Sequence, residues 1–200
     1  MPQIRFVVAL PSEAKPINHH FGLVRDNNAI GFSLYRNQGV ALVISGVGAM
    51  LSGQATAWLR QQLPEPALWI NAGIAGHAHL PVGQGLLASR ITDKTSGRAW
   101  LTHLPAATPC ATGPLITCAE PETEYAESAL YDMEAAGFFA AASAAAPVHR
   151  ILCFKIVSDN PQSPVHDVNR ELITRLMTAH LAVIERLADS VGKPLPEAGA

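Results

Sequence analysis

The sequence predicts an α/β protein, a sheet with helices packed on it, and three patterns carry that expectation. Short apolar runs at Ile4–Leu10, Leu68–Asn71 and Arg150–Val157 have the length and character of buried strands. Between the runs lie segments whose apolar residues recur at the helical period. The clearest puts Leu172, Ile173, Leu176, Met177, His180, Val183, Ile184, Leu187 and Val191 on one face. Glycines or carboxylates follow several of the strand runs, where open α/β sheets bind their ligands.

In chain order, Ile4–Leu10 is the first strand. Ser12 reads as a helix N-cap, with Glu13 behind it and Pro16 in the first turn, where a missing N–H breaks no intrahelical bond. Phe32–Asn37 and Val40–Ser45 read as a hairpin about Gln38-Gly39, and Gly46-Val47-Gly48 as a tight turn. A helix follows from Ala49 to Leu63, stopped by Pro64 and Pro66. Leu68–Asn71 ends in Gly73-Ile74-Ala75-Gly76. Gly85–Ile91 and Leu115–Ala119 are further strands, joined through a loop, His103–Pro114, rich in Pro, Ala and Thr. Met133–Ala146 is an alanine-rich helix whose small side chains allow close backbone approach. After the strand Arg150–Val157, a single final helix runs to Gly192. One domain over residues 1–192 is expected, with 193–200 as a flexible tail.

Composition narrows the function classes. The 14 basic and 16 acidic residues leave a net charge of −2 and no electrostatic footprint for nucleic acid. No Lys/Arg run favours an anionic membrane, and the longest apolar stretch, Ala135–Val148, is shorter than the ~20 residues that span a bilayer. Charged residues are only 15% of the chain, consistent with some surface being covered by a second subunit. Cys110, Cys118 and Cys153 are odd in number and form no CxxC pair, so neither a disulfide framework nor a zinc site is expected. A soluble, cytoplasmic protein is the expectation.

Taken singly, the candidate site residues have ordinary structural readings. Glu13 in a first helical turn complements the helix dipole, Asp132 is an N-cap, and Asp159 before Asn160-Pro161 forms a turn. Gly46-x-Gly48 is weak as a dinucleotide fingerprint, since Leu51 stands where a third glycine would. His77-x-His79 has no further ligands nearby, and Ser158 lacks the G-x-S-x-G elbow of a hydrolase triad.

Together, their order and spacing carry a resemblance. Ser45-Gly46-Val47-Gly48, Asn71-Ala72-Gly73-Ile74-Ala75-Gly76, Val82-Gly83, Asp132-Met133-Glu134-Ala135 and Ser158-Asp159 follow one another after Glu13. In this the chain resembles the nucleoside phosphorylase/nucleosidase superfamily, most closely its methylthioadenosine/S-adenosylhomocysteine nucleosidase branch, from Ile4 to about Leu187. The resemblance implies a three-layer α/β/α fold with a central mixed sheet, a homodimer, and a purine nucleoside as small-molecule partner. It implies hydrolysis of the N-ribosidic bond, with Asp159 as acid to the base nitrogen, Glu13 activating water, and Glu134 at the ribose hydroxyls. Met133 would pack on the sugar, and Gly48, Ile74, Ala75, Gly76 and Ser158 would complete the substrate pocket. No metal or organic cofactor is implied.

Phosphorylases of the superfamily carry a phosphate-holding arginine where this chain has Asn71, so water is favoured as nucleophile. Arg25, Arg36 or Arg90 could bring charge from elsewhere, which leaves a phosphorylase as the alternative, and a catalytically silent nucleoside-binding module as another. The chain also departs from the branch. Ile74 replaces a serine, and Pro11-Ser12 replaces two acidic residues. The segment Ala119–Glu124 before Asp132 is shorter than its counterpart, which in the branch brings a Gly-Asp-Ala-Phe-like stretch against the purine. Trp100, Leu101 and Leu104 are candidates for the dimer seam.

Overall fold

A computed structural model describes residues 3–191. The expected helix end at Gly192 and the tail 193–200 lie outside the described residues. The strands are β1 (Gln3–Val8), β2 (Val24–Arg25), β3 (Ser33–Arg36), β4 (Val40–Ile44), β5 (Ala67–His77), β6 (Gly85–Asp93), β7 (Ala99–Leu101), β8 (Ala111–Thr117), β9 (Leu130–Asp132) and β10 (Ile151–Asp159). The helices are α1 (Pro11–Phe21), α2 (Ala49–Gln62), α3 (Ala135–Ser143), α4 (Arg170–Ala179) and α5 (Leu181–Val191).

All the strands join one mixed sheet in the order β10-β6-β8-β9-β5-β1-β4-β3-β2, with β7 paired to β6. Because β10 also pairs with β5, the strands β5, β10, β6, β8 and β9 close on themselves at one side of the sheet. At the centre, β1 runs parallel to β4 and β5, and β5 parallel to β10, so their carboxyl ends reach the same edge.

Successive side chains along a strand point to opposite faces, and the core divides accordingly. Val7, Val43, Trp69 and Cys153 pack with Ala55 and Leu59 of α2 and with Phe138 and Phe139 of α3. Their alternates Phe6, Val8, Leu42, Ile70 and Phe154 pack with Ile17 of α1, Met177 of α4 and Leu187 of α5. The structure is thus a mixed α/β fold with helices on a central sheet.

The Phe32–Ser45 hairpin forms as expected in outline, with Asn37 Oδ1 accepting the N–H groups of Gly39 and Val40 in the turn. Other elements differ. Leu10, not Ser12, is the N-cap of α1. Pro16 is therefore an interior residue, and the Ser12 carbonyl that it cannot bond accepts from Thr174 Oγ1 at 3.4 Å. β5 does not stop at Asn71 but continues through the glycines to His77, because their missing side chains leave space that other groups occupy. β8 begins at Ala111, inside the expected loop. Its Pro114 is accommodated at a bulge, where the register on β6 skips from Ala88 to Arg90.

β7 and β9, three residues each, carry too little periodicity to be read. α3 is shorter than expected, starting at Ala135, since Asp132 belongs to β9. Its close approach holds: a Cβ on Gly137 would overlap the backbone carbonyl of Ala49 in α2. The final helix is two helices, α4 and α5, broken at His180. That ring packs on Phe154, with centroids 5.9 Å apart, and its Nδ1 lies 2.9 Å from the Leu176 carbonyl oxygen. Cys110, Cys118 and Cys153 are free thiols. No described helix is long and apolar enough to cross a membrane.

Candidate active site

A cavity of about 140 Å³ opens at the carboxyl ends of β1, β5 and β10. Glu13, Glu134 and Asp159 all line it, although they come from α1, the start of α3 and the end of β10. All three are buried, at 3%, 7% and 5% exposure, an uncommon placement for carboxylates.

Glu13 is the third residue of α1 and folds back across the helix start. Its Oε2 accepts the N–H groups of Ala9 and Leu10, both at 2.9 Å, and its Oε1 accepts from Ile74 at 3.0 Å. A carboxylate offers about four lone-pair sites, so these three bonds orient the group and leave room for one more partner. Burial pushes its carboxyl up, while nearby Lys155 and the three backbone donors draw it back down. A Cβ at Gly73 would stand 2.5 Å from Glu13 Oε1, which is why that strand position is glycine.

Glu134 Oε1 accepts the Gly48 N–H at 2.9 Å, reached because Gly48 takes φ 111°, a conformation L side chains rarely adopt. Burial pushes its carboxyl up to about 7, with Lys155 opposing and Asp132 adding to the rise. Asp159 Oδ1 accepts from Ser158 Oγ at 2.5 Å, and its Oδ2 accepts from the phenol of Tyr125 at 2.5 Å.

Met133, Ile74, Ala75, Gly76 and Ser158 line the cavity with these acids. Gly48 does not; its N–H holds Glu134 instead. Asn71 is buried away from the cavity, its Nδ2 donating to the Val7 carbonyl at 3.0 Å and its Oδ1 left without a partner. Asp132 does bond the first N–H of α3, at 2.9 Å. It also pairs with Lys155 Nζ at 2.8 Å and accepts from Thr117 Oγ1. His77 Nδ1 accepts the N–H groups of His79 and Leu80, so that pair shapes a turn. Among the described residues no cluster of His, Cys, Asp or Glu is placed to hold a metal ion. Of the seam candidates, Leu101 is 78% exposed, whereas Trp100 packs on Phe139 and Leu104 against the core.

Sequence reasoning missed two residues. Lys155 is 1% exposed beneath Glu13, Asp132 and Glu134, whose charges hold its ammonium above the usual lysine range. A lysine inside the apolar run of β10 was the available signal. Tyr125 directly follows the segment Ala119–Glu124, where no pattern marks it. Burial and Asp159 push its phenol well above the usual value, so it is a firm donor.

No family model matches the chain, and no curated protein matches it. Solved structures do. The apo 5′-methylthioadenosine nucleosidase of Arabidopsis thaliana is 18% identical, with 98% of each chain covered and a TM-score of 0.82. The methylthioadenosine/S-adenosylhomocysteine nucleosidase of Colwellia psychrerythraea, in complex with adenine, is 19% identical over 98% of each chain, with a TM-score of 0.78. That of S. pneumoniae, with a transition-state inhibitor, is 18% identical over 94% of this chain and 99% of its own, with a TM-score of 0.76. The chain therefore has the fold of these methylthioadenosine nucleosidases.

Proposed function

We propose that this protein hydrolyses the N-ribosidic bond of a purine nucleoside and releases the free base. The observation that carries this reading is the convergence of Glu13, Glu134 and Asp159 on one buried cavity at the strand ends. Cleavage builds positive charge on the ribose and negative charge on the departing base. Asp159 donates a proton to a ring nitrogen, making the base a neutral leaving group, and Glu13 orients and deprotonates the attacking water. Glu134 accepts from the ribose hydroxyls and stabilises the oxocarbenium-like charge, with Met133 against the sugar. Lys155 does not line the cavity; it balances the carboxylates from below.

Water rather than phosphate is the nucleophile on this reading, because no Lys, Arg or His lines the cavity among the described residues. The buried amide of Asn71 stands where phosphorylases carry their arginine. The helices divided between the two sheet faces support a three-layer α/β/α description of a single domain. The small charged fraction and exposed Leu101 support a homodimer.

The test is release of free base from methylthioadenosine, adenosylhomocysteine, adenosine, inosine and futalosine, each with and without phosphate. Phosphate-independent release is expected. Release only with phosphate would make the protein a phosphorylase, and tight binding without release a binding module. Asp159→Asn is expected to lower the release rate by about 10²–10⁴-fold while retaining the fold, and wild-type turnover in that variant would remove Asp159 from the mechanism.

A further inference from the structure

A cavity of about 140 Å³ is the size of one that holds a benzene ring, whereas sites for nucleoside-sized ligands enclose roughly 300–1,000 Å³. Something now inside the walls must move before a purine and a ribose fit together. The wall beside the acid identifies it. A Cβ placed on Gly76 would lie 2.5 Å from Asp159 Oδ2 and 2.6 Å from Cε1 of Tyr125, so a flat aromatic ring already lies beside the acid over that glycine. The phenol of the same ring donates to Asp159 Oδ2, and the ring meets Tyr131, a cavity residue, edge to face at 5.7 Å.

We propose that Tyr125 is a built-in stand-in for the nucleobase, covering Gly76 and bonding the Asp159 oxygen the base would use, so that base entry and Tyr125 departure are one exchange. This rests on the nucleosidase reading of the cavity. It makes Tyr125 a determinant of affinity and of which bases can compete, and not a catalytic residue.

The surrounding chain is built for such an exchange. Between Ala119 and Ser128 the segment forms no helix or strand, and Tyr125 is its only buried residue. Tyr125 is also the one non-glycine residue with positive φ among those described, at 48°, a conformation that departure would relax. Other contacts tether the segment. Lys94 Nζ pairs with Glu122 Oε2 at 2.6 Å across the surface, and the Glu127 backbone bonds the Tyr131 hydroxyl. Pro121 and Glu122 of this segment line the cavity, so release of Tyr125 also moves a wall outward.

The exchange sets a measurable tax on ligand affinity, because a site that is only partly open binds weaker in proportion to its open fraction. Tyr125→Phe keeps the ring and its packing but removes the bond to Asp159. By calorimetry, its affinity for adenine is expected to rise by up to about tenfold, the upper worth of one ordinary hydrogen bond. Lys94→Ala, on the outer tether and away from the cavity, should strengthen adenine binding by about two- to fivefold, the worth of a surface ion pair. In turnover, both gains should fall in KM.

Weaker adenine binding by Tyr125→Phe would mean that Tyr125 holds the base, and would overturn the proposal. An unchanged affinity in both variants, or a fall in kcat at constant KM, would overturn it too. If adenine binding tightens in both variants while no nucleoside is cleaved by the wild type, the exchange stands and the nucleosidase reading fails.

Discussion

Lys155→Met tests whether charge balance beneath the cavity holds this part of the fold together. Lys155 Nζ lies 2.8 Å from Asp132 Oδ2, with the two side chains 2% and 0% exposed. At an effective dielectric constant of ~20, charges at that separation attract by about 6 kcal/mol, much of which offsets their desolvation. Removing the cation alone leaves Asp132, Glu13 and Glu134 facing an apolar side chain, and breaking such a buried pair costs about 3–5 kcal/mol.

The cost depends on pH, with a definite sign. In the wild type, burial raises Glu134 from 4.5 to about 7, so folding favours its neutral form. That contribution is fully present below 4.5 and fades as pH rises through about 7. Without Lys155, Glu13 and Glu134 lose the positive charge that draws them down and titrate higher still. The deficit against wild type should therefore be largest near pH ~8 and shrink towards pH ~5, where protons replace the missing cation. Urea denaturation at both pH values measures it. Adding Asp132→Leu should return part of the loss, because an apolar pair leaves no charge stranded. A deficit under about 1 kcal/mol near pH ~8, or one that does not shrink on acidification, would refute the charge-balance argument.

Gly73→Ala pushes against Glu13 Oε1, and a misplaced carboxylate should lower kcat by about 10²-fold with little change in thermal midpoint. Equal losses of activity and stability there would point to backbone damage instead. Gly137→Ala drives a methyl into the Ala49 carbonyl and must part α2 from α3, so a loss above about 3 kcal/mol is expected in denaturant melts. If Glu134 acts ionised at the ribose, kcat/KM should rise with pH along a limb near its value of about 7, and Glu134→Gln should abolish that limb.

The strands and most helices were legible because burial on alternate faces leaves long-lived patterns in side-chain type. Phe6, Val7 and Val8 announce a buried strand wherever they stand. The carboxylates were legible only as a set, since Glu13 alone is indistinguishable from a dipole-complementing surface residue. What local patterns could not show was decided by contacts distant in sequence. β5 passes through Gly73 and Gly76 because Glu13, Asp159 and Tyr125 fill the space beside them, and no local rule separates such glycines from turn formers. The break at His180 depends on Phe154, and Tyr125 finds Asp159 from 34 residues away across an irregular segment.

The continuity of β5 has a consequence for how this site tolerates change. The strand receives Glu13 at Gly73 and Ile74, and Asp159 at Gly76, three residues further on. At ~3.3 Å per residue, the interval between these docking points is about 10 Å, held along β10 as on a ruler. Side-chain rotation cannot reset that interval, and one inserted residue would turn every later position to the opposite face. Length variation is therefore confined to the segments that cross the open rim. Such a protein can change what it admits while the spacing between its reactive groups stays the same.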